Sequence, residues 1–309
     1  MELEELRKQI DEIDDGILEL FLRRMACAKQ VAEVKRQKGL PVFNKAREQE
    51  ILGDISRRAG GYGGQARILC ADLMAMSRGV QYRALQSGAT LRRAVREAAS
   101  RPLQGPRFAA CLGQTGSGSH WALSRLFPKA KPVFVPDLPS LFAAVEDGEA
   151  ELGILPTGNS AGDSVSGVYD LITEHRFFIF SAVNLPGRHA APPEPESGSV
   201  FTRFFAAGPN LFIPPKANRF SLRFAMPDLT GALCTVLTRF AAAGLSLSRI
   251  ESRPISGHHC GYYLYLDCFG CAADAKTLDL LCALFEELPR FSFLGSYFES
   301  APQRSERRD

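Results

Sequence analysis

Long apolar runs are missing from this 309-residue chain. None approaches the roughly 20 residues that a membrane-crossing helix requires, although 45% of the residues are apolar, enough for ordinary cores in two or three domains. An apolar leader is missing too. The chain opens Met1-Glu2-Leu3-Glu4-Glu5, which offers no secretory signal, so a cytoplasmic protein is expected. Charge of one sign is scarce: 37 Lys and Arg against 34 Asp and Glu leave a net charge of +3, too little to argue for nucleic acid. The eight cysteines (27, 70, 111, 234, 260, 268, 271 and 282) lack the spacing of a disulfide framework, and reduced thiols are the default in that compartment. Cys268-Phe269-Gly270-Cys271, with His258, His259 and Cys260 upstream, has the residue types of a zinc site. A strand from Tyr262 to Phe269 would hold the two groups roughly 25 Å apart, so neither metal nor cofactor is expected.

Helix breakers are absent from the opening stretch. Between Glu2 and Lys38 there is no proline and one glycine, Gly16, before Gly39-Leu40-Pro41 stops the helix. Leu3, Leu6, Ile10, Ile13, Ile17 and Leu20 step by three and four, and Val31 and Val34 resume the stripe, the period of a long amphipathic helix. Arg24 and Lys35 fall on nearly the same face, roughly 16 Å apart along the axis. Arg7 lies roughly 25 Å beyond Arg24, so no small molecule reaches Arg7 and Lys35 of one straight helix. If all three grip one anion, Arg7 comes from a second, antiparallel copy. Taken alone, these residues read as solvated surface charges.

Asn44 precedes a second helix, Lys45 to about Arg58, that opens with Arg47-Glu48. A third, about Gln65 to Leu85, places Ser77 and Gln81 at i and i+4 on one face. The order Leu6-Arg7-x-x-Ile10-Asp11-x-Ile13-Asp14, Arg24, Val31-Ala32-x-x-Lys35, Leu40-Pro41-Val42, Arg47-Glu48 and Ser77-x-x-x-Gln81 resembles the all-helical chorismate mutase family over the first 85 residues or so. The resemblance implies a three-helix fold in an intertwined dimer, one Arg reaching into the partner's site. It implies that Arg7 (from the second copy), Arg24 and Arg47 clamp the two carboxylates of chorismate, for which planar Arg forks are suited. By the same resemblance Lys35 and Gln81 donate to the ether oxygen, Glu48 accepts from the ring hydroxyl, and Ser77 supports a carboxylate. Asn44 stands where the family usually has Asp; an amide still hydrogen-bonds a hydroxyl, so a working site with weaker binding is expected. The rearrangement to prephenate is concerted, with no nucleophile and no proton transfer. The protein can only hold the reactive conformer and stabilise growing charge.

A basic connector follows, Leu91-Arg92-Arg93-Ala94-Val95-Arg96, read as a solvated helical linker over 91–107. From Phe108 the pattern is α/β, with strands at Phe108–Leu112, Lys131–Pro136 and Leu152–Pro156 and helices ending at Phe127 and Glu146. The first strand runs into Gly113-Gln114-Thr115-Gly116-Ser117-Gly118-Ser119, and the third into the turn Gly158-Asn159-Ser160-Ala161-Gly162. Such turns can cap helices and make anion sites. These two segments, Asp170-Leu171 and Thr202-Arg203-Phe204 resemble the motifs of prephenate dehydratase, with Ser117, Asn159, Ser160 and Thr202 as site remnants. The family's Glu before Asn-Ser is Gly158 here, and its Asn two before the Thr is Val200. That family has two lobes and a cleft between them. Here Phe177 to Phe180 leads through Pro186-Gly187-Arg188-His189-Ala190-Ala191-Pro192-Pro193-Glu194-Pro195 to Thr202, so a Pro-rich linker, unable to pack a core, replaces one lobe. A cleft with one wall excludes no water, and dehydration is expected to be lost or impaired.

From Arg219 the pattern becomes βαββαβ: strands Phe220–Met226, Leu245–Ile255, Tyr262–Phe269 and Phe291–Phe298, a helix ending at Ala243 and another from Ala275 to Leu288, and a hairpin around Gly257-His258-His259. Gly231-Ala232-Leu233 and Glu251-Ser252-Arg253-Pro254 resemble the phenylalanine-binding motifs of the ACT regulatory domain in bifunctional chorismate mutase/prephenate dehydratases. A helix N-terminus with charged strand-end residues suits an amino acid. The expected fold class is multidomain. It comprises an all-α mutase domain (1–90), the linker (91–107), the α/β half of a two-lobed dehydratase (108–208), an α+β ACT domain (209–300) and a disordered tail (301–309). The expected function is a chorismate mutase with L-phenylalanine as effector, a homodimer or higher oligomer, and no nucleic-acid or membrane partner. A fully bifunctional enzyme and a non-catalytic phenylalanine-binding protein are the alternatives. The retained Arg7, Arg24, Lys35, Arg47, Glu48 and Gln81 speak against the last.

Overall fold

With no proline in its way, the first helix runs unbroken: α1 spans Leu3–Lys38. Gly39 takes φ 64°, and the Leu40 N–H donates to the Lys35 carbonyl at 2.9 Å, the left-handed turn that closes a helix. These features belong to a computed structural model that describes residues 3–100, 105–159, 167–186, 201–226, 230–255 and 261–300. α2, Lys45–Arg58, starts where the Asn44 side chain accepts from the Arg47 N–H at 3.0 Å, satisfying one of the orphan donors of its first turn. α3, Gly63–Ala84, buries Met74, Ala75, Ser77, Arg78, Gln81 and Tyr82, and both α1 and α2 pack on it.

α1 buries little of its own. Only Ala28 and Ala32 are buried, while Leu6, Ile10, Ile13, Ile17, Leu20, Val31 and Val34 are exposed. Among the described residues, nothing covers the stripe that periodicity marks as a packing face.

α4, Ala89–Ser100, corrects the expected linker. Leu91, Arg92, Val95 and Ala98 are buried, and the Ala98 carbonyl accepts from the Ile213 N–H at 3.4 Å. Leu91, Val95 and Ala98 step by four and three, an apolar stripe that the interleaved Arg93 and Arg96 concealed.

The remaining elements are β1 (Phe108–Leu112), α5 (Gly118–Leu126), β2 (Lys131–Val135), α6 (Leu138–Glu146), β3 (Leu152–Asn159), α7 (Val168–Glu174), β4 (Phe178–Pro186) and β5 (Phe201–Gly208), then β6 (Arg219–Ala225), α8 (Ala232–Ala242), β7 (Leu247–Pro254), β8 (Tyr262–Phe269), α9 (Ala275–Glu287) and β9 (Ser292–Glu299). β3 overruns the expected turn, so Gly158 and Asn159 are strand residues opposite Arg203 and Thr202, beyond a register shift at Pro156/Gly158. Ser160, the hairpin residues 257–259 and the tail lie outside the described residues.

The described strands form one sheet in the order β2-β1-β3-β5-β4-β9-β6-β8-β7. The β1, β2 and β3 pairings are parallel, and β5 runs antiparallel between β3 and β4. β6 to β9 have the expected βαββαβ connectivity with antiparallel pairings. The two expected domains share this sheet through β4 and β9, where Ser181 and Ala182 pair with Phe298 and Glu299. One apolar cluster gathers Phe142, Tyr169, Phe177, Phe205, Tyr265 and Tyr297, and another Cys111, Leu123, Ile154, Phe180 and Phe204. Neighbours such as Phe204 and Phe205 go to different clusters because successive strand side chains point to opposite faces.

The chain divides into two compact units that cut across the sequence blocks. Met1–Leu91, Met226–Leu245 and Leu278–Pro289 form the first, which contains α1 to α3, α8 and most of α9. Arg92–Ala225, Ser246–Thr277 and Arg290–Asp309 form the second, which contains the sheet.

Candidate active site

Within the first unit, α1, α2 and α3 carry five of the expected mutase residues at their mutual contacts: Arg24 meets Ser77, Lys35 lies in the field of Glu48, and Gln81 follows Ser77 by one turn of α3. Arg24 of α1 donates through Nη1 to the Leu73 carbonyl at 2.6 Å and to Ser77 Oγ. Gln81, one turn on from Ser77, is buried, and its side-chain carbonyl oxygen has no partner among the described residues. Rotating the terminal amide exchanges oxygen for nitrogen, so this side chain is available as a donor. Lys35 donates to the Val42 carbonyl at 2.5 Å. Burial lowers the Lys35 pKa, and Glu48 opposes the shift, so the ammonium sits within reach of that carboxylate's field.

Glu48 accepts from Arg78 Nη1 at 2.6 and 2.5 Å through its two oxygens. Arg78 was not among the expected site residues. It also donates through Nε to Glu287 at 2.9 Å, and Glu287 accepts from Arg239 Nη1 at 2.9 Å. Burial works against the Arg78 charge, but Glu287 and Glu48 more than offset it and its pKa is raised. An arginine amid Leu73-Met74-Ala75-Met76 and Gly79-Val80 was the one signal in the sequence that could have flagged it. Beside this group lies a cavity of about 190 Å³ lined by Glu48, Arg78, Arg239, Glu287, Gly231 and Ala232, among others. Gly231 is the N-cap of α8 at φ 82°, and among the described residues no side chain caps that helix.

Three expected members stand apart. Arg7 is exposed and paired with Glu4 at 2.7 Å. It is 28 residues from Lys35 on α1, about 42 Å along a straight helix. Arg47 is exposed and paired with Glu50 at 2.8 Å. Asn44 serves as the α2 cap.

In the second unit, the C-terminal ends of β1 and β3 and the start of β5 lie at one end of the sheet, on strands interior to it. Thr202 there pairs in register with Asn159, while Ser117 N-caps α5 and donates to the Leu112 carbonyl at 2.8 Å. Arg203 turns to the sheet face, bonding Asp267, Glu299 (2.7 Å) and Tyr297 (2.9 Å). Burial opposes its charge, and Tyr297, Asp267, Tyr169 and Glu299 raise its pKa on balance. On β7, Glu251 is gripped by Arg249 at 2.8 Å and by Arg253 at 2.6 Å, and Arg253 also reaches Asp170 at 3.1 Å.

Known proteins match this chain in two stretches. Residues 6–82 match the family described as chorismate mutase type II, and residues 109–193 match prephenate dehydratase. A bifunctional chorismate mutase/prephenate dehydratase of Aquifex aeolicus (strain VF5) is 24% identical over 372 aligned positions, covering 96% of this chain and 98% of that protein. Because this chain has 309 residues, at least 63 of those positions (372 less 309) face no residue here. A chorismate mutase of Methanocaldococcus jannaschii is 47% identical over 55 residues, 18% of this chain and 56% of that one. Among solved structures, a prephenate dehydratase in complex with L-Phe from Arthrobacter aurescens aligns with a TM-score of 0.53. It is 22% identical and covers 64% of this chain and 92% of that one, a likeness of fold.

Proposed function

The chain is an enzyme that joins a chorismate mutase type II region to a prephenate dehydratase region, and from that premise we propose that its working activity is the rearrangement of chorismate to prephenate. The observation that supports this reading is that three helices pair Arg24 with Ser77 and Lys35 with the field of Glu48, with Gln81 buried one turn beyond Ser77. Arg24 holds a carboxylate with Ser77 beneath it. Lys35 and Gln81 stabilise the charge that grows on the ether oxygen as its bond to the ring breaks. Glu48 fixes the ring hydroxyl.

Arg7 completes the site from a second copy of the chain. Its separation from Lys35 excludes both from one pocket on the same helix. The exposed α1 stripe supplies the surface, since burying each Leu, Ile or Val contributes about 1.5–3 kcal/mol. Dehydration by the second region is lost or impaired. The unmatched positions in the Aquifex alignment, the Pro-rich segment and the glycine at 158 support that reading, while Thr202 and Asn159 remain paired at one end of the sheet. β6 to β9 with α8 and α9 form an ACT-type phenylalanine sensor. L-phenylalanine at the α8 N-terminus acts on the mutase, a reading supported by the cavity that Gly231 and Ala232 share with Glu48 and Arg78.

Purified full-length protein given chorismate should accumulate prephenate, form no phenylpyruvate, and show a higher KM when L-phenylalanine is added. Untouched chorismate would leave a non-catalytic phenylalanine-binding protein. Phenylpyruvate appearing as fast as prephenate would mean that the dehydratase cleft is closed by other means.

A further inference from the structure

We propose that Arg78 is a positioning residue of the mutase site, aiming Glu48 at the substrate's ring hydroxyl, and that Glu287 of α9 holds Arg78 for this task. The inference rests on the reading of Glu48 as a substrate contact. Glu48 leaves the first turn of α2 on a flexible side chain, and nothing on α2 fixes its carboxylate. Arg78 does so from α3, with one guanidinium nitrogen 2.6 and 2.5 Å from the two carboxylate oxygens. A single salt bridge would leave both partners free to swing together. Here Arg78 is pinned from two further directions, by Glu287 at 2.9 Å on Nε and by the Phe43 ring, 4.8 Å from the guanidinium carbon. Glu287 is itself held by Arg239 at 2.9 Å.

Solvent access differs along this chain of charges. The side chains of Arg78, Glu287 and Arg239 are 9%, 5% and 6% exposed, and that of Glu48 is 22%. The buried end anchors and the open end is presented. Each Glu48 oxygen has two lone pairs, so the contacts with Arg78 leave capacity to accept from a hydroxyl. Acids and bases alternate from Glu48 to Arg239, so the group carries no net charge.

The test compares kcat and KM for chorismate in full-length Glu48→Gln, Arg78→Met, Arg78→Lys and Glu287→Gln proteins. Arg78→Met should raise KM about tenfold and lower kcat/KM about a hundredfold, the scale of loss when a contact is misplaced by an ångström. Arg78→Lys should recover most of that loss, because its ammonium still meets the carboxylate, and Glu287→Gln should fall between. A purely structural role would lower the melting temperature and the active fraction while leaving KM alone, and that pattern overturns the proposal. So does wild-type kcat/KM in Arg78→Met beside an impaired Glu48→Gln. If Arg78→Met fails to fold, wild-type KM in both Arg78→Lys and Glu287→Gln overturns it equally. Full activity in Glu48→Gln would instead remove the reading of Glu48 on which the proposal stands.

Discussion

In the proposed site Lys35 would act as a donor only while it is charged, and burial lowers its pKa below the ordinary lysine value of 10.5. Deprotonation therefore removes the donor to the ether oxygen as pH rises, and kcat/KM for chorismate should fall through an alkaline limb centred below that value. Lys35→Arg, charged to about pH 12 and beyond, should flatten the limb. An identical limb in both proteins would assign it to another group. At this scale the sequence disclosed residues whose neighbours are also neighbours in the chain. Ser77 and Gln81 share a face because helical period puts them there. Arg78 stands next to Ser77 in the chain, yet its contacts stayed hidden. Its partner Glu287 is 209 residues away, and no local period encodes such a pairing.

Elements were legible where period and punctuation agreed, as for α1, α2, α6 and β8. They were misread where charge masked an apolar stripe, as in α4, or where a polar composition suggested a turn, as at Gly158 and Asn159. Both of those positions are held in β3 by pairing with β5, a contact that composition does not reveal. Gly295 marks another long-range contact, the one between β9 and β4. It has φ 135°, and a Cβ there would collide with the Ile179 backbone. Gly295→Ala should therefore destabilise the protein by about 2 kcal/mol or more, read as a lower urea midpoint. An unchanged midpoint would mean that the strands close without that approach.

For the whole molecule the issue is how many chains make a site. Arg7→Ala and Arg24→Ala proteins should each be inactive, yet a mixture should regain activity, because in a mixed dimer one of two sites carries both arginines. Random exchange would restore roughly a quarter of the wild-type rate, since half the dimers are mixed and half their sites intact. No recovery after demonstrated exchange would show that each site draws on one chain. By itself the sequence determined the helices of the first 85 residues, the βαββαβ order at the end, the family resemblances, and the distance that separates Arg7 from Lys35. All of these follow from spacing along the chain, which rise per residue converts directly into geometry. Only the tertiary structure decided that Arg78 joins Glu48 to Glu287, that Gly231 and Glu48 face one cavity, and that the strands of two sequence blocks make one sheet. Those contacts close loops of tens to hundreds of residues, and such closures are fixed by the packing of the whole fold rather than by any local pattern.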